Sequence, residues 1–210
     1  MSEDEDPRKT ALGENLAQEW KADSWAGSLW DAIELGQTNP NAALEKMQDL
    51  ASKNSPLSMF YLGEYYIYGR HGVERDSAKA EHWLREAASK GSIEGSWLLA
   101  RHLEGAKNYE EAEDEYKKLE ELGYSPALYA LGFEYNRGIW LKRDVKKAIE
   151  YLEKAEQLGH LWSAHLLWHI LRKEKMGLTN WIKGWIKWFR MLIPFVRCHV
   201  NYPNSDRLRR

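Results

Sequence analysis

Four residues that tolerate a left-handed backbone, Asn54, Gly91, Gly123 and Gly159, punctuate the chain at intervals of 37, 32 and 36 residues. The apolar positions keep fixed distances from them. Eleven residues before each stands Ala43, Ala80, Ala112 or Ala148; seven before, Met47, Leu84, Tyr116 or Leu152; four before, Leu50, Ala87, Leu119 or Ala155. Those offsets mark one face of a helix that ends at the punctuating residue. Asp76 and Asp144, fifteen residues ahead of Gly91 and Gly159, are placed to cap two of these helices.

A second helix follows each punctuating residue. Four residues on come Ser58, Gly95, Ala127 and Ser163, all small; eight on, Leu62, Leu99, Leu131 and Leu167. Nine on come Gly63, Ala100, Gly132 and Trp168, and twelve on Tyr66, Leu103, Tyr135 and Leu171. Small residues on an apolar stripe let two helices approach closely. The pattern predicts a helix–turn–helix unit with a period near 36 residues, each unit burying its apolar face against the next.

Residues 58–91, SMFYLGEYYIYGRHGVERDSAKAEHWLREAASKG, resemble the Sel1-like repeat, a relative of the tetratricopeptide repeat. The residues that carry the resemblance are Leu62, Gly63, Tyr66, Gly69, Gly72, Val73, Asp76, Lys79, Ala80, Trp83, Ala87, Ala88 and Gly91. Residues 127–159 are similar through Leu131, Gly132, Tyr135, Gly138, Asp144, Lys147, Ala148 and Ala155, but have Tyr151 for the tryptophan and Glu156 for the second alanine. Residues 92–123 read as a shorter, degenerate copy, 24–54 as a leading partial repeat, and 160–174 as the first helix of a last one. The resemblance implies an all-α fold, a right-handed α-solenoid over residues 24–174. It also implies an adaptor that gathers other proteins, often in membrane-linked processes, with no catalytic residues to carry over.

Composition is that of a globular chain: 210 residues, 43% hydrophobic and 30% charged, with 11 Trp and 11 Tyr against 4 Phe. The N-terminal MSEDEDPRKT has no apolar stretch, no run is long enough to span a bilayer, and Cys198 is the single cysteine. A cytoplasmic protein is expected, without signal peptide, spanning helix or internal disulfide. The net charge of −2 conceals a division. Residues 175–210 hold eight Lys or Arg against Asp206 alone, so an acidic body ends in a basic tail.

The first helices carry a further set of positions opposite the core stripe. Six residues after each punctuating residue lie Phe60, Trp97, Tyr129 and His165; ten after lie Glu64, Arg101, Phe133 and His169. Aromatic rings among mixed charges suit a protein-binding groove. The competing reading is that the rings pack against the adjacent repeat. His165 and His169 have the i,i+4 spacing of a metal pair but lack a third ligand, so no metal and no cofactor is expected. No nucleophile elbow, phosphate loop or nucleotide fingerprint appears, and neither an enzyme nor a small-molecule substrate is expected.

Residues 175–198 form the last feature. On a helix, Trp181, Trp185, Trp188, Phe189 and Leu192 share one side with Ile182, Ile186 and Ile193, while Lys183, Lys187 and Arg190 share the other. Pro194 ends or kinks it. Tryptophan prefers the headgroup level and Lys or Arg attracts anionic lipid. One reading is therefore peripheral contact with the inner membrane face through Trp181, Lys183, Trp185, Lys187, Trp188, Phe189 and Arg190. The alternative is a soluble interaction module in which this helix only caps the solenoid. Nucleic acid is not expected, because the body is acidic and no reader motif appears. Residues 1–23 read as an acidic lead-in and 199–210 as a flexible basic tail.

Overall fold

A computed structural model of the chain describes residues 14–173 together with Ile182, Trp185, Ile186 and Phe189. Among the described residues the regular structure is helical: α1 Glu14–Ala22, α2 Ala26–Leu35, α3 Pro40–Ser52, α4 Pro56–Tyr68, α5 Ser77–Ser89, α6 Ile93–Gly105, α7 Tyr109–Glu121, α8 Ser125–Arg137, α9 Val145–Gln157 and α10 Leu161–Lys173. A 3-10 turn, Arg70–Gly72, lies between α4 and α5.

The helix ends follow from local chemistry. Asn54, Gly91, Gly123 and Gly159 all have left-handed φ values, between 63° and 85°. Behind each, the next backbone N–H turns back to a carbonyl five residues earlier: Ser55 to Leu50, Ser92 to Ala87, Tyr124 to Leu119 and His160 to Ala155. This closes an otherwise unsatisfied carbonyl at each helix end. The N-termini are capped by side chains. Asn39 accepts from Ala42 N, Ser55 from Ser58 N, Asp76 from Lys79 N and Ser92 from Gly95 N. Asp144 accepts from both Lys146 N and Lys147 N.

The core is made of the residues that the repeat pattern marks. All twelve positions at eleven, seven and four residues before the punctuating residues are at most 3% exposed. Leu62, Leu99, Leu131 and Leu167 are as deep. Burying such a leucine contributes roughly 1.5–3 kcal/mol. The small residues set the spacing between helices. A Cβ on Gly63 would stand 2.6 Å from Leu84, one on Gly95 2.6 Å from Ala87, and one on Gly132 2.8 Å from Leu152. Those contacts join α4 to α5, α5 to α6 and α8 to α9.

The chain divides into two compact units, Asn15–Glu115 and the part that begins at Tyr116, with the division inside α7. In the first, α4 packs on α3, α5 and α6. Arg85 of α5 pairs with Glu81 of its own helix and with Glu111 of α7. In the second, α9 packs on α8 and α10 around Leu128, Tyr129, Ala148, Leu152, Ala155, Leu167 and Ile170.

Candidate functional site

In the unit Asn15–Glu115, the groove positions lie on α4 and α6. Phe60 and Trp97 are buried, at 7% and 8% exposure. The Phe60 ring stands edge-on to Tyr61 at 5.1 Å. The Arg101 guanidinium lies 5.9 Å from the centre of the Trp97 ring and 3.3 Å from Glu104. Glu64 is partly exposed and accepts from Arg70 at 2.8 Å, a bond that raises the Arg70 pKa further. What faces outward is a layer of paired charges over buried rings.

In the unit beginning at Tyr116, Tyr129 is 9% exposed and belongs to the buried cluster, its ring 4.7 Å from His160 and 6.0 Å from Phe133. Phe133 is partly exposed beneath the Arg137 guanidinium at 5.0 Å. His165 and His169 are partly exposed, their Nε2 atoms 3.3 Å apart. Among the described residues no group of three His, Cys, Asp or Glu gathers as a metal site. The three ring positions thus sit deeper than a groove lining would, as half-core residues. Glu64, Arg101, Phe133, His165 and His169 are the reachable members.

Two of the seven expected membrane-contact residues are described. Trp185 and Phe189 are helical and exposed, at 42% and 64%, beside Ile182 at 44% and Ile186 at 52%. These four stand at i, i+3, i+4 and i+7, one face of a helix. Trp185 also meets Trp168 edge-on at 6.2 Å. Trp181, Lys183, Lys187, Trp188 and Arg190 lie outside the described residues. Among the described residues no helix is long and apolar enough to cross a membrane.

Residues that the sequence pattern did not single out lie on α1 and the turn after it. Glu19 Oε2 accepts from the Ser92 hydroxyl at 2.8 Å and Glu19 Oε1 from Glu94 N at 3.0 Å. Asp23 Oδ2 accepts from the Ser55 hydroxyl at 2.7 Å and from Leu57 N at 3.3 Å. Trp20 stands edge-on to Trp30 and to Tyr61, both at 5.8 Å, and its Nε1 donates to the Tyr61 hydroxyl. Burial pushes the Tyr61 phenol above its usual range. The one trace of this in sequence is the four-residue spacing of Glu19 and Asp23 around a tryptophan.

The Sel1 repeat family profile matches residues 56–92 and 125–160, which contain α4 with α5 and α8 with α9. The chain is 26% identical over 118 residues to an ERAD-associated E3 ubiquitin-protein ligase component of Arabidopsis thaliana, across 56% of this chain and 19% of the relative. It is 27% identical over 133 residues to a chitin synthase regulator of Saccharomyces cerevisiae, across 63% of this chain and 18% of the relative. It therefore spans about a fifth of the length of these relatives. Among solved structures, a Sel1 repeat protein from Oxalobacter formigenes superposes with a TM-score of 0.62 at 21% identity, over 85% of this chain and 80% of that one. The chain carries two Sel1 repeats and has the fold of the Sel1-repeat proteins.

Proposed function

We propose that the chain is a non-enzymatic adaptor. It binds a protein partner through the outward face of its first helices, and the segment after Lys175 holds it peripherally at an anionic membrane surface or at a membrane protein. The proposed partner positions are Glu64 and Arg101, with the edges of Phe60 and Trp97, in the unit Asn15–Glu115, and Phe133, His165 and His169, with the edge of Tyr129, in the unit that begins at Tyr116. The curated relatives support the adaptor part: one is named a component of a ubiquitin-protein ligase, the other a regulator of a chitin synthase. Both names describe a protein that works on or with another protein.

The observation that carries the membrane part is the exposed stripe Ile182, Trp185, Ile186 and Phe189. In sequence it alternates with Lys183, Lys187 and Arg190, with no acid between 181 and 205. An apolar stripe with a wholly basic complement suits an anionic interface. Three basic residues near such a leaflet contribute on the order of 3 kcal/mol. The test is co-sedimentation of the full chain with vesicles of phosphatidylcholine alone and of phosphatidylcholine with phosphatidylserine. Salt-sensitive binding to the second alone is expected, and K183E/K187E/R190E should abolish it. Equal binding to both vesicles, or to neither, would overturn the membrane part.

One observation favours the cap as a second reading. Trp168 stands nine residues after Gly159, where Gly63 and Gly132 in the earlier repeats lie against a leucine of their second helices. Trp185 meets Trp168 from that position in the repeat. A chain ending at Lys175 separates the readings, since loss of a cap lowers the melting temperature well beyond the few degrees that the Trp168–Trp185 pair accounts for, and loss of an interfacial anchor removes vesicle binding instead.

A further inference from the structure

The N-terminal ends of α4 and α6 present the same small cradle twice. In each, a serine hydroxyl at the N-cap accepts from the amide three residues on: Ser55 from Ser58 N, Ser92 from Gly95 N. In each, that hydroxyl and the amide two residues on both donate to one carboxylate. Asp23 fills the first cradle, from Ser55 and Leu57 N, and Glu19 the second, from Ser92 and Glu94 N. The equivalent positions after Gly123 and Gly159 are Tyr124 and His160, so the serine pair belongs to these two repeats.

Between the carboxylates, Trp20 seats against Tyr61 and Trp30. Three side chains within five residues, two on α1 and one just after it, thus read two consecutive repeats: carboxylate, tryptophan and a second carboxylate four residues from the first.

The hold on α1 is made by these side chains more than by packing. With nine residues, α1 is shorter than the roughly 12–15 at which an isolated helix becomes stable in water. Of its described side chains Leu16 is buried, and the others are partly or fully exposed. A cavity of about 200 Å³ remains beside it, lined by Glu19, Ala22, Asp23, Leu57, Lys90 and Ser92 among others.

We infer that α1 is a built-in ligand of a helix-reading site on α4 and α6, and that a partner helix carrying two carboxylates four residues apart around a tryptophan displaces it. The recognition chemistry is visible in the occupant. Charge-assisted hydrogen bonds at the helix ends favour the carboxylates, because the amides there carry the positive end of the helix dipole. The aromatic slot fixes the register. The carboxylate cradles share no residue with Phe60, Glu64, Trp97 and Arg101, although Tyr61 lies edge-on to Phe60, and the site stands whether or not that face binds a partner.

The probe is a fluorescent peptide of residues 14–23, ENLAQEWKAD, titrated against the full chain by anisotropy. E19Q/D23N weakens the internal occupant while keeping its shape. The peptide should bind this variant at least about ten-fold tighter than the unsubstituted chain, because occupancy in cis lowers the apparent affinity in proportion to the open fraction. Adding S55A/S92A to the variant should remove the binding. Equal affinity for the unsubstituted chain and E19Q/D23N, or no binding to either, would overturn the inference. Should E19Q/D23N not fold, hydrogen exchange on the unsubstituted chain decides. Amides of α1 exchanging at least about ten-fold faster than those of α4 support a displaceable helix. Exchange of both at the global rate overturns it.

Discussion

Asp144 accepts hydrogen bonds from two backbone amides at 3.0 and 3.1 Å and so satisfies two of the four free donors at the start of α9. Replacing it with alanine should cost about 1 kcal/mol, the usual value of such a cap, measured as a shift in the urea midpoint at unchanged slope. Asp76 caps α5 by accepting from the Lys79 amide. The Lys79 amide holds its carboxyl below the ordinary range against an opposing push from desolvation, and the Lys79 ammonium adds to the lowering. A carboxylate with a depressed folded pKa stabilises the fold above its unfolded pKa. That contribution disappears as pH falls through the folded value. D76N, which still caps but does not titrate, should therefore lose less stability than the unsubstituted chain on acidification from pH 5 toward 3. Parallel denaturant titrations across that window would read it; identical acid slopes would contradict the assignment. Both caps are legible in sequence because donor and acceptor lie within three residues. Glu19 and Asp23 are not, since their partners Ser92 and Ser55 are 73 and 32 residues away.

Among the helices, α5 and α6 meet tightly at Gly95. A methyl on Gly95 would fall 2.6 Å from the Ala87 Cβ, an atom fixed to its own backbone and unable to rotate aside. G95A should destabilise by about 1–3 kcal/mol through overpacking, in spite of the better helix propensity of alanine. A87G/G95A, which moves the missing methyl to the facing helix, should recover part of that loss. A double-mutant cycle measures the coupling; additive effects would place the strain elsewhere. The sequence pattern predicts a small residue here, four after Gly91, from its recurrence as Ser58, Ala127 and Ser163. It does not tell which facing residue requires it. The groove positions show the same limit. Their helical face is legible, but the depth of Phe60, Trp97 and Tyr129 depends on what packs beside them. In Tyr129 that neighbourhood is a buried cluster drawn from α8, α9 and α10.

For the whole molecule, the open distinction is between an interfacial segment and a structural cap after Lys175. One contact between the two parts is the edge-on pair Trp168 and Trp185. Such a pair contributes about 0.5–1.5 kcal/mol beyond its area. In a chain of this size 1 kcal/mol corresponds to roughly 2–4 °C. If the interfacial reading holds, ending the chain at Lys175 should lower the melting temperature by no more than about 6 °C, the product of those two ranges, while removing vesicle binding. A larger drop with no vesicle binding by either chain would assign the segment to the fold.

The sequence by itself determined the helical repeat, its period, the caps at Asp76 and Asp144 and its core face. These depend on hydrogen bonds spanning three to five residues and on a 3.6-residue stripe, both written along the chain. Tertiary structure alone decided the seating of α1 across two helix ends, the depth of the aromatic positions and the meeting of Trp168 with Trp185. Those contacts join residues 17 to 75 apart in sequence. Nothing in the local pattern specifies which polar or aromatic side chain will arrive at a given helix end, because that is set by how the helices pack and not by the helix that carries the residue.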